Sequence, residues 1–162
     1  MGYLSDLRKI VGNRPLLTSG ATVLVFNEKK ELLLNLRSDT NTWGIPGGSM
    51  ELGETIEETA ARELFEETGL KAKEYELLTV LSGKDFYFKY PNGDELYSVI
   101  PLFLAKDVTG DLHINDDESN ELRYFDLNNL PIMESRAAKI IEWLKSNVTV
   151  FECWGNPAKT SK

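Results

Sequence analysis

Three glutamates, Glu63, Glu66 and Glu67, stand at positions i, i+3 and i+4 of one run. If that run is helical, a step of about 100° per residue gathers the three carboxylates on one side. Like charges at neighbouring helical positions destabilise a helix, and partial burial sharpens the repulsion. Arg62, four residues before Glu66, offsets one charge. Hard divalent cations that take oxygen ligands would offset the rest, and magnesium characteristically bridges carboxylates to phosphates. A solvated acidic helix face is the alternative reading, because runs of charge usually mark exposed surface.

The element that carries these acids is the best-defined helix in the chain, 55–68. Thr55 and Glu58 have the spacing of a capping box, and Gly69 supplies the stop. On a helical wheel Ile56, Ala60, Ala61, Leu64 and Phe65 share the apolar arc. Glu67 falls at its edge, whereas Glu57 and Glu58 point elsewhere. Before the helix runs the loop Trp43-Gly44-Ile45-Pro46-Gly47-Gly48. Glycine in such a loop lets a backbone carbonyl approach a metal, or a phosphate approach backbone amides; a simple tight turn would also use it.

Around this pair the remaining elements read as a framework. Segment 2–11 has Leu4, Leu7 and Ile10 on one helical side. Strands are expected at 19–26, at 31–36 as its hairpin partner, and at 73–81, 86–90, 95–105 and 122–127. Pro91-Asn92-Gly93-Asp94 forms a hairpin turn. A second amphipathic helix is expected at 135–147, with Ala138, Ile141, Trp143 and Leu144 apolar. The expectation is an α+β protein with helices on both faces of a mixed sheet, a single domain over 1–154, and a flexible C-terminal tail at 155–162.

Composition narrows the partners. The chain has 162 residues, a net charge of −8 and one cysteine, Cys153. The acidity disfavours polymeric nucleic acid, although a polyphosphate can be bound if divalent ions lie between. No apolar run is long enough to span a bilayer, no signal segment is visible, and a single cysteine suits a cytoplasmic setting.

The stretch Gly48 to Leu70, GSMELGETIEETAARELFEETGL, resembles the Nudix box. It agrees at Gly48, Glu54, Arg62-Glu63-Leu64, Glu66-Glu67 and Gly69-Leu70. A chance match in a chain this long is on the order of 10⁻⁷. The resemblance implies an α/β/α sandwich around a mixed sheet, and hydrolysis of a nucleoside diphosphate linked to another group, by water attack at phosphorus. It implies Mg²⁺ as cofactor, with Mn²⁺ as substitute. Glu63, Glu66, Glu67 and the carbonyl of Gly48 become the expected metal ligands, Arg62 the group that orients them, and Glu54 a support for the site. The general base is expected at Glu66 or Glu67, or at Glu118 in a downstream acidic loop, where a solvated acid is an equal reading.

Arg37 and Tyr87 are the candidate substrate contacts. Tyr87 lies seventeen residues past the box, where a subgroup acting on dinucleoside polyphosphates carries a tyrosine. It could equally pack the aromatic strand Phe86-Tyr87-Phe88. Nucleoside triphosphates and nucleotide sugars stay open, as do a nucleotide-binding Nudix domain without catalysis and a homodimer. An isoprenoid diphosphate isomerase would need a cysteine near the loop, and Cys153 is elsewhere. His113 reads as a strand-end residue, and Asp116 to Glu121 lacks the glycine and ligand spacing of a calcium loop.

Overall fold

A computed structural model describes residues 2–115 and 118–147. The expected tail at 155–162 and Cys153 lie outside the described residues, as do Asp116 and Asp117. The elements run α1 (Tyr3–Val11), β1 (Leu16–Leu24), β2 (Leu32–Arg37), β3 (Trp43–Gly44), β4 (Gly47–Ser49), α2 (Ile56–Thr68), β5 (Glu74–Leu81), β6 (Tyr87–Lys89), β7 (Glu95–Lys106), β8 (Ser119–Phe125) and α3 (Ser135–Ser146).

Two sheets form the frame. One is mixed, with order β4-β1-β7-β5 and β6 added to β7. Within it β1 and β7 run parallel, with Thr22 beside Leu102 and Val23 beside Phe103. The other is antiparallel, with order β3-β2-β8. The expected hairpin between the first two strands is short, limited to the Phe26–Leu32 bridge with backbone bonds from Asn27 to Glu31 and from Leu33 to Val25. Beyond that turn β2 pairs along its length with β8 in the second sheet, and Leu32, Leu33 and Leu34 are fully buried between the two core layers.

Alternation along β1 splits the core in two. Ala21, Val23 and Val25 face α2, where they join Leu33, Ala60, Leu64, Leu70 and Phe103. Leu24 faces α3, among Leu34, Leu102, Ile140, Ile141 and Leu144. Helices therefore cover opposite sides of the sheets, the α/β/α layering of the expected fold.

The helices are rotated from their expected faces. In α3 the buried positions are Ala137, Ile140, Ile141 and Leu144, an i, i+3, i+4, i+7 stripe from which Ala138 is displaced. In α1 the half-buried residues are Leu4, Leu7, Arg8 and Val11, while Ile10 is 83% exposed. In α2 the buried stripe is Thr59, Ala60, Leu64, Glu67 and Thr68. Phe65 is 43% exposed and lies under the Lys71 ammonium. Polar residues hold the buried stripe because each finds a partner: the Thr59 hydroxyl shares its one hydrogen between Glu54 at 2.8 Å and the Thr55 carbonyl at 3.2 Å, and the Thr68 hydroxyl donates to the Leu64 carbonyl.

The ends of α2 are closed at both sides. Thr55 and Glu58 make the full capping box, and Gly69 takes the left-handed conformation at φ 74°. His113 N–H donates to the Thr68 carbonyl, and Asn115 Nδ2 to the Phe65 carbonyl. His113 is thus part of the C-terminal cover of the acid-bearing helix. We predict that Leu64→Ala costs about 2–5 kcal/mol in urea unfolding, a cavity penalty. Phe65→Ala should cost below about 1 kcal/mol, because it removes an exposed cation–π contact.

Candidate active site

Arg62 organises the site. A guanidinium carries five N–H donors, and here all five are used. Nε and Nη2 donate to the two oxygens of Glu54 at 2.6 and 3.0 Å, and Nη2 also to the Ser49 carbonyl at 2.9 Å. Nη1 donates to Glu63 Oε1 at 2.7 Å and to Glu66 Oε2 at 3.1 Å. One side chain thereby ties the loop before α2 to two of the helix acids and fixes their separation.

Glu54 is filled by this arrangement. Besides Arg62, its Oε2 accepts from the Glu51 N–H at 2.9 Å and from the Thr59 hydroxyl at 2.8 Å. With that many donors on one carboxylate, Glu54 supports the site and offers little to a further ligand. The Arg62 hydrogen bonds hold its pKa down at about 2, against a burial contribution in the other direction.

Glu63 shows the opposite balance. Burial raises its pKa, Arg62 counters this, and the neighbouring charges of Glu66 and Glu118 raise it again. Its carboxylate lies so close to Gly48 that a Cβ there would sit 2.4 Å from Oε1. Glu67 is 5% exposed, and its Oε2 accepts from the Gly47 N–H at 2.9 Å. Gly47 has φ 153°, and a Cβ on it would meet the Ala21 carbonyl oxygen at 2.2 Å. A Cβ on Gly20 would meet the Gly48 carbonyl oxygen at 2.2 Å. Glycine is required at these positions because two backbones and a carboxylate share the space between β1, β4 and α2.

These groups line one end of a cavity of about 980 Å³ that takes in Gly48, Glu63, Glu66, Glu118 and Arg37. Glu67 is set back behind its glycine contact, and Tyr87 is not on the wall. The Tyr87 hydroxyl donates to Glu95 at 2.8 Å, and its ring packs on Tyr97 at 5.0 Å. Arg37 does reach the cavity, gripped by Asp39 through Nε at 2.9 Å and Nη2 at 2.6 Å.

The far end holds residues that sequence reasoning missed. Glu134, 7% exposed, caps α3 by accepting from the Arg136 and Ala137 N–H groups. The same carboxylate accepts from Arg136 Nε at 3.1 Å. That guanidinium stands over the Phe88 ring at 4.3 Å and the Tyr90 ring at 5.8 Å, with Arg37 6.0 Å from the Tyr90 ring. Ile45, Ile100 and Ile140 complete an apolar wall. The available signal was an acid directly before a predicted helix, at the N-cap position.

The donor set suits a hard divalent cation. Arg62 engages one oxygen each of Glu63 and Glu66, and Glu118 and the Gly48 backbone stand at the same end. Among the described residues no three His, Cys, Asp or Glu converge into a ready-made cage.

The fold and site together define a small α+β domain whose acid-bearing helix faces a nucleotide-sized cavity. A family model, the NUDIX domain, matches residues 16–144, and the chain belongs to this family as a Nudix-type pyrophosphohydrolase. It is 36% identical over 121 residues to an ADP-ribose pyrophosphatase of Methanocaldococcus jannaschii, covering 74% of this chain and 68% of the relative. It is 34% identical over 116 residues to a putative 8-oxo-dGTP diphosphatase of Bacillus subtilis, covering 71% and 70%. Among solved structures, a MutT NUDIX hydrolase from Burkholderia pseudomallei superposes with a TM-score of 0.66 at 26% identity, covering 78% of this chain and 97% of that one.

The two perturbed carboxyls have opposite consequences for stability. Glu54 is depressed from 4.5 to about 2, so its contribution is complete above pH 4.5 and is lost as pH falls towards 2. We predict that Glu54→Gln is less stable than the parent at pH 7 and that the difference shrinks across this window in urea melts. Glu63 is raised, so the stability linked to it is complete below the ordinary carboxylate range and is lost as pH rises through its raised value. Glu63→Gln should therefore match or exceed the parent at pH 7 when no metal is added.

Proposed function

We propose that this chain hydrolyses a nucleoside diphosphate linked to a further group, using Glu63, Glu66, Glu67 and the Gly48 carbonyl to hold divalent metal, Mg²⁺ or in its place Mn²⁺. The observation that carries the reading is the Arg62 arrangement. It fixes Glu63 and Glu66 by one oxygen each, at the cavity end that also contains Glu118. Without a cation, Glu63, Glu66 and Glu118 would face a polyphosphate with like charge. Bound metal neutralises the diphosphate and polarises its phosphoryl oxygens.

The chain's own residues supply positioning and proton transfer. Arg62 keeps the carboxylates apart and oriented. Glu118 accepts a proton from the attacking water as the new O–P bond forms and the bridging P–O bond breaks, leaving a nucleotide and a phosphorylated leaving group. Glu66 and Glu67 are the other candidates for that proton. At the opposite end Tyr90, Arg37 and Arg136 offer a ring and guanidinium donors to the nucleoside. Tyr87 lies off this wall, so a dinucleoside polyphosphate has no support from that residue. The names of the relatives favour ADP-ribose and an oxidised purine nucleoside triphosphate as first substrates to test.

We predict no turnover in excess chelator and full recovery with Mg²⁺, read by product analysis on a panel of ADP-ribose, nucleoside triphosphates, nucleotide sugars and dinucleoside polyphosphates. Glu118→Gln should lower kcat about 10²–10⁴-fold, the range for a lost general base. A change under threefold would return that role to Glu66 or Glu67. Glu67→Gln should nearly abolish turnover and reduce the thermal stabilisation that Mg²⁺ gives the parent. Near-normal kcat in that variant would refute the metal site.

A further inference from the structure

α1 precedes the span matched by the family model and has no buried residue. It is nevertheless fastened at both ends. The Tyr3 N–H donates to Glu51 Oε2 at 2.8 Å, which ties the start of α1 to the loop leading into α2. Further along, Arg8 donates to the carbonyls of Gly12, Arg14 and Glu95 at 3.0, 2.5 and 2.6 Å, with Asp94 3.5 Å from Nε. Asn13 reaches the Asn92 carbonyl at 3.3 Å. These are polar clamps around a helix that buries little apolar surface, so packing alone does not explain where it sits.

Beneath α1 lies a second cavity of about 340 Å³. Leu4, Ser49, Tyr90 and Leu96 line both it and the large cavity, so the two share a wall. The smaller space has Leu4 on the helix, Tyr90 just past β6, Leu96 on β7, and Asn92, Asp94 and Ser5 as polar lining. Two apolar jaws with hydrogen-bonding groups around them suit a flat heteroaromatic ring. A sugar phosphate would instead need an uncompensated cation, and the one cation among the described lining residues, Arg8, already serves Asp94 and three carbonyls.

We propose that α1 is a wall of the substrate site and that the gap between Leu4 and Tyr90 takes the nucleobase of the substrate. This rests on the nucleotide reading of the main cavity. Leu4 then sets affinity and base preference without touching the reacting phosphates. The Glu51 contact makes α1 continuous with the segment from β4 to α2 that carries Gly48 and Glu54, so the base and the diphosphate are held by one connected frame.

The test uses the full chain and needs no turnover. Deuterium uptake by residues 3–11 is measured with AMP, GMP, inorganic diphosphate or ribose 5-phosphate, each at 10 mM. AMP or GMP should slow exchange in α1 several-fold, and the two ligands that lack a base should not. Equal protection by ribose 5-phosphate, or protection by none of the four, overturns the proposal. For whichever nucleotide is hydrolysed, Leu4→Ala should raise KM about five- to a hundredfold with kcat within twofold, the range for apolar groups removed from a binding pocket. Leu4→Met should restore KM. Turnover with KM unchanged in Leu4→Ala overturns the slot alone. Protection of α1 by AMP or GMP with no diphosphate cleaved would leave the slot standing and remove the hydrolase reading.

Discussion

Charge compensation around Arg62 is the constraint on which the rest of the site depends. Three glutamates on one side of α2 repel each other, and two of them are mostly withdrawn from water. A guanidinium with all five donors engaged can hold such a group only if its acceptors come from two elements at once. Glu54 and Ser49 supply the loop side, and Glu63 and Glu66 the helix side. Lysine could not substitute, because its ammonium has three donors and no planar fork. The loop and the helix are therefore one rigid unit, and that unit presents the acids to the cavity.

The same unit is keyed to the sheet by close approach. Glu67 reaches back to the Gly47 N–H, and β4 lies against β1 so tightly that neither Gly20 nor Gly47 could carry a Cβ without displacing a carbonyl. The acid end is fixed by backbone geometry as much as by side chains. The opposite end is built differently, from aromatic rings and two arginines each held by its own carboxylate, Arg37 by Asp39 and Arg136 by Glu134. The cavity thus joins an acidic end to an aromatic end whose two arginines are each paired with a carboxylate.

The helix 55–68 was legible in the sequence because its signals are local. The capping box, the terminal glycine and the 3.6-residue spacing of the acids all act within a few residues, so the acids' common side and the position of Glu67 at the apolar edge followed from periodicity. The Nudix resemblance was legible for the same reason, being a single continuous stretch from Gly48 to Leu70. The hairpin at 91–94 and the approximate span of every major strand belong here too.

What the chain does at long range was decided by tertiary structure. β2 pairs along its length with β8 in a second sheet, although its neighbour in sequence was the nearer partner. Thr59 and Thr68 entered the buried stripe of α2 in place of Phe65 because Glu54 and the helix's own carbonyls accept from their hydroxyls. Tyr87 and Tyr90 are three residues apart on one strand and its turn, yet only Tyr90 reaches the cavity. Side-chain alternation and the pairing of β6 with β7 set that outcome. Glu134, Arg136 and α1 reach the cavity from sequence positions far from the box. A local pattern can report the residues that a helix gathers on one face, whereas which residues from separate elements share a cavity depends on how the sheets and helices pack.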